Sequence, residues 1–132
     1  MYYKDLTSYE YHESGIGKNI VNIGWLNKDN NYIKSSKPNV EVAKILITLW
    51  DDRTLRTRGF HICNLCENES APTYFDDING KSYLLGSAEF RIHSTRSNLI
   101  FAVPDMIIHY LLDHNYQPPS EFVDAVLELK NS

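Results

Sequence analysis

Tyr83-Leu84-Leu85-Gly86-Ser87-Ala88-Glu89-Phe90-Arg91-Ile92, then Ser94-Thr95-Arg96-Ser97-Asn98, then Leu99-Ile100-Phe101-Ala102-Val103 is the stretch that decides the fold. Its two flanks are rich in aliphatic and aromatic residues, the side chains that fit a half-buried pleated surface. The five polar residues between them carry turn chemistry. Together they predict two strands, residues 83–92 and 99–103, joined as a hairpin. Pro104 then opens a helix that reaches about His114, since proline suits a helix start and not its interior.

Working outward, Asn19-Ile20-Val21-Asn22-Ile23-Gly24-Trp25-Leu26 reads as a first strand, with turn-forming Asn and Asp after it. From Val40 to about Trp50 the apolar residues Val42, Leu46, Leu49 and Trp50 form a helical stripe, with Pro38 near its start. Residues 58–63 read as a further strand, followed by a tight turn through Cys66. Residues 67–81 read as a polar loop marked by Pro72 and Asn79-Gly80. Pro118-Pro119-Ser120 breaks the chain and starts a last helix over residues 121–129, with Phe122, Val123, Val126 and Leu127 on its apolar side. Strands with one clear hairpin, alternating with helices, predict an α+β fold. It is a single domain over residues 1–132, a small and mainly antiparallel sheet with about three helices packed on it.

A chain of 132 residues lies in the range of one domain and can bury a core without disulfide staples. The net charge of −4 disfavours general nucleic-acid binding, which uses a basic face. The most apolar stretches, residues 42–50 and 99–112, are interrupted by Lys44, Thr48, Pro104, Asp105 and His109, so neither is expected to span a bilayer. Met1-Tyr2-Tyr3-Lys4-Asp5 has no apolar leader region, and the expected location is cytoplasmic. In that compartment a structural disulfide is not expected, and cysteines are reduced or metal-bound.

Both cysteines fall in one nine-residue run, Arg58-Gly59-Phe60-His61-Ile62-Cys63-Asn64-Leu65-Cys66. Zinc takes four ligands from thiolate and imidazole, and Cys63 and Cys66 would supply two. The other candidates are His61, His93, His109 and His114. His109 and His114 have H-x4-H spacing, within the range of mixed Cys/His zinc sites. Residues five apart on a regular helix differ in direction by about 140°. The two imidazoles therefore meet at one ion only if the helix frays before His114, which Asn115-Tyr116-Gln117-Pro118 favours. The competing readings are two buried thiols with no ligand role, a thioredoxin-type redox pair, and a hydrolase with Cys63 as nucleophile.

Glu89 and Arg91 share a strand face and are expected to form a paired structural unit. Asp113-His114 makes a poor catalytic dyad, because adjacent helix residues point apart. Gly15-Ile16-Gly17-Lys18 has the wrong spacing for a phosphate loop and reads as a turn. No catalytic residue is assigned.

The opening Tyr2-Tyr3-Lys4-Asp5-Leu6-Thr7-Ser8-Tyr9-Glu10-Tyr11, Asn22-Ile23-Gly24-Trp25-Leu26, the H-x-C-x-x-C block, Leu85-Gly86-Ser87-Ala88-Glu89-Phe90-Arg91, and Pro104-Asp105-Met106-Ile107-Ile108-His109-Tyr110 continuing to Phe122 share their order with a known set of proteins. On these blocks the chain resembles a family of small uncharacterised bacterial proteins. In size, charge and architecture such proteins are similar to bacterial immunity proteins, which bind and block a cognate toxin. The resemblance in type implies a non-enzymatic partner-binding protein with a basic toxin as partner, in which the zinc site read from the cysteines and histidines would only brace the fold. Tyr2, Tyr3, Tyr9, Tyr11 and Tyr32 are the candidate interface anchors, since tyrosine joins a large ring to a polar tip. The alternative is a small zinc- or thiol-dependent enzyme centred on Cys63, Cys66, His61 and His109.

Overall fold

Strand β5 (Ile100–Pro104) organises the chain: β1 (Ile20–Asn22) lies parallel on one side of it and β4 (Glu89–His93) antiparallel on the other. The computed structural model describes residues 2–7, 19–54, 62–66, 72–77 and 79–129. A central strand is covered on both faces, and Phe101, Ala102 and Val103 are accordingly all buried. A second, two-stranded antiparallel sheet is formed by β2 (Tyr74–Asp76) and β3 (Ser82–Leu84). Three helices complete the α+β fold: α1 (Val40–Ile47), α2 (Ile107–Asp113) and α3 (Ser120–Leu129).

Local chemistry accounts for α1. The Asn39 side chain caps it by accepting from the Val42 N–H at 3.1 Å, and Glu41 sits in the first turn. Val42, Ala43 and Leu46 form its buried side, which meets α2 and α3. α3 packs on β4, and Phe122 meets Phe101 edge to face with ring centres 5.6 Å apart. The buried cluster runs continuously through Ile23, Leu46, Phe90, Phe101, Leu111 and Phe122.

Several predicted boundaries move, each for a visible reason. The strand predicted over residues 83–92 is broken at Gly86 (φ +105), which separates β3 from β4 and sends them to different sheets. The Gly86 N–H donates to Asp105 Oδ1 at 2.6 Å, which fixes that bend. The loop predicted over residues 67–81 contains β2, a strand of only three residues with exposed ends. The first strand stops at Asn22, because Gly24 (φ +79) turns the chain. α1 ends at Ile47, and Trp50 belongs to a separate 3-10 turn, Trp50–Asp52. Pro104 is the last residue of β5, paired with Glu89, and α2 begins at Ile107. Of the strand expected over residues 58–63, Ile62 and Cys63 lie outside any strand, and the rest falls outside the described residues.

Gly24 sits against α2: a Cβ added there would lie 3.1 Å from Ile107 Cδ1 and 3.2 Å from its Cγ1. Gly24→Ala is therefore expected to lower the unfolding free energy by about 1–2 kcal/mol through the left-handed backbone alone, with Ile107 forced to shift as well. Urea denaturation checks this; the midpoint should fall at unchanged slope, and an unmoved midpoint would contradict it.

Candidate metal centre

α2 is buried along nearly its whole length, with Ile107, Ile108, His109, Tyr110 and Leu111 all covered. His109 thus faces inward from a helix that the core holds rigid. Beyond Asp113 the helix stops. His114 has non-helical dihedrals (φ −121, ψ 8), and Asn115 adopts a left-handed conformation (φ 52) that asparagine tolerates. The Tyr116 N–H turns back to the Tyr110 carbonyl at 3.1 Å. This termination swings His114 around so that its imidazole meets that of His109, with Nε2 to Nε2 at 3.1 Å.

The segment around Tyr32 clamps that corner. The Tyr32 hydroxyl donates to the His114 carbonyl at 3.1 Å, the Ser35 N–H donates to the Asn115 carbonyl at 2.8 Å, and Lys34 bridges to Tyr116. Tyr116 is buried, and its hydroxyl donates to Asp5 Oδ2 at 2.6 Å.

The cysteines arrive from a short turn whose central residues are Asn64 and Leu65. Cys63 is buried in the hydrophobic cluster, and Cys66 packs at its edge. Asn64 Oδ1 accepts from the Lys28 N–H at 3.2 Å and ties the turn to the body. Cys66 Sγ lies 3.0 Å from His109 Nε2 and 3.3 Å from His114 Nε2, and Cys63 Sγ lies 3.5 Å from His114 Nε2. The four donor atoms all fall within 4.8 Å of one another.

Zinc bonds of about 2.3 Å to sulfur and about 2.0–2.1 Å to nitrogen give a tetrahedron whose edges are roughly 3.3–3.8 Å. Four of the six donor separations, 3.0–3.5 Å, lie at or just below those edges, and the other two stay within 4.8 Å. Two sulfurs with two imidazole nitrogens form a common structural zinc set. The electrostatics suit a cation. Burial pushes His109 below the ordinary histidine range, opposed by the carboxylate of Asp113. Burial first, and His109 second, push His114 the same way. Neutral imidazoles offer lone pairs. Burial pushes the Cys63 thiol up to about 11, so a metal ion must displace its proton on binding.

Of the six candidate ligands, Cys63, Cys66, His109 and His114 come together, and His61 lies outside the described residues. His93 ends β4 on the surface. Sequence reasoning missed Asp113 as a partner of the site: its Oδ2 lies 2.7 Å from His109 Nδ1. The i, i+4 spacing on one helix face was the available signal.

Among the candidate anchors, Tyr3 packs edge to face on Trp25 and Tyr32 on Tyr116, and Tyr2 is half-buried. Tyr9 and Tyr11 lie outside the described residues. Among the described residues no helix is long and apolar enough to cross a membrane.

Fold and site together define a small α+β protein with a Cys2His2 cluster able to hold a metal ion. The chain belongs to the family described as a domain of unknown function, DUF7919, whose model matches residues 1–127. Neither the curated proteins nor the solved structures gave a match.

Proposed function

We propose that this is a non-enzymatic binding protein in which Cys63, Cys66, His109 and His114 hold one structural zinc ion, and that it neutralises a basic partner, a cognate toxin, by covering it. The convergence of four soft and borderline donors within 4.8 Å carries the zinc reading. Zinc at a catalytic site keeps one position for water, whereas four protein donors complete its usual count. That favours a brace over the enzyme reading centred on the same cysteines. The brace would join the turn carrying Cys63 and Cys66 to the C-terminal end of α2, where the helix dipole favours positive charge. The toxin partner rests on the similarity in type to immunity proteins and on the net charge of −4, which speeds association with a basic surface.

Each part has its own test. Untagged protein purified under reducing conditions without chelator should carry one zinc per chain by elemental mass spectrometry. Below roughly one tenth of an equivalent the brace is excluded. Co-expression with the toxin gene adjacent to its own should rescue growth and yield a stable complex; neither rescue nor complex would defeat the immunity reading and leave the metal result standing.

A further inference from the structure

We propose that Asp113 is the positioning residue of the metal centre: its carboxylate holds His109 in the tautomer and orientation that aim the Nε2 lone pair at the ion. The inference rests on the zinc reading above and adds a residue outside the ligand set. A carboxylate only accepts hydrogen bonds, so the 2.7 Å contact places the proton of His109 on Nδ1. Nε2 is then the free acceptor, 3.0 Å from Cys66 Sγ and 3.1 Å from His114 Nε2. A ligating imidazole whose other nitrogen is held by a carboxylate is fixed in rotation and made a better donor.

Two further observations separate this role from a structural one. The Asp113 side chain is 63% exposed against 9% for His109, so the carboxylate stands at the surface and fills no space in the core. Exposed ion pairs of that kind add little to stability. Asp113 is also the last residue of α2, whose final turn contains no basic residue. A negative charge there opposes the helix dipole, so helix stability does not account for an aspartate at this position. A cation held by His109 and His114 at the same helix end would reverse that sign.

Asp113→Ala and Asp113→Asn test the proposal through zinc affinity, measured in competition with a chromophoric chelator. Asp113→Ala should bind zinc about 10–100-fold more weakly than wild type, with one ion per chain retained at saturation. Asp113→Asn, whose amide oxygen still accepts from Nδ1–H without the charge, should fall between the two. Nitrogen NMR of the metal-free proteins gives a readout that a merely structural residue would leave unmoved. His109 should show its proton on Nδ1 in wild type and a mixture of tautomers in Asp113→Ala. Affinity within roughly twofold of wild type in both variants, or an unchanged tautomer, overturns the proposal while the zinc reading survives. A wild-type protein that takes up no zinc overturns both.

Discussion

Stripping the metal with a chelator is expected to lower the unfolding free energy of the wild-type protein substantially and to leave Cys66→Ser almost unmoved. An ion that binds only the native state stabilises it by about 4 kcal/mol when its free level is roughly a thousandfold above the dissociation constant. Cys66 is suited to this comparison because it sits half-buried at the edge of the hydrophobic cluster, so a serine there creates no deep cavity. Zinc-loaded wild type should therefore unfold at higher denaturant than zinc-free wild type, and the zinc-free wild type should coincide with the variant. The metal-free chain should remain folded. Unlike a zinc finger, it has a continuous buried cluster through β4, β5 and all three helices, and the candidate centre lies at one end of α2. Superimposable wild-type curves with and without chelator would rule out a structural ion.

The second large effect concerns the other end of α2. Asp105, fully buried, accepts from Arg53 Nη1 at 2.7 Å and from the Gly86 N–H at 2.6 Å, and the Arg53 guanidinium lies 3.4 Å from the Trp50 ring centre. Burial outweighs the hydrogen bonds from Gly86, Arg53 and Ser87 and the charge of Arg53, and holds the Asp105 carboxyl above the ordinary carboxylate range. A charged pair in that state is no better than a well-packed apolar pair, but a lone survivor is costly. Arg53→Ala is expected to lose about 3–5 kcal/mol, because it leaves the Asp105 carboxylate buried with its ion partner gone. The double variant Arg53→Met with Asp105→Leu should lose clearly less than the sum of the two single changes. The difference measures the coupling between the two charges in a double-mutant cycle. Additive losses would mean that the two side chains do not interact as the structure places them.

The same residues explain why some of the architecture was legible and some was not. The hairpin of β4 and β5 could be read because both strands are apolar and a five-residue polar turn lies between them. α1 and α3 could be read because their buried residues recur at helical spacing. The break at Gly86 was hidden, since its cause is the carboxylate of Asp105, 19 residues later. β2 was hidden because three residues with exposed ends carry no alternation to detect. At the site, the cysteine pair announced itself by spacing. The link to α2 depended on a termination that local sequence already suggested, as Asn115 supplies the left-handed residue that ends the helix. Asp113 stands beside His114 in the sequence, but on the helix its counterpart lies one turn earlier, at His109.

The parallel pairing of β1 with β5 sets Ile20 beside Ile100, Val21 beside Phe101 and Asn22 beside Ala102. A ribosome therefore releases β1 long before β5 exists, and although Leu6 and Thr7, made earlier, bond to Asn22, the edge of β1 that pairs with β5 must wait while the intervening chain is made. Closing so wide a loop is slow compared with forming the β4–β5 hairpin. The order of synthesis is thus expected to run against the order of assembly, with β1 docking after the β4–β5 hairpin has formed.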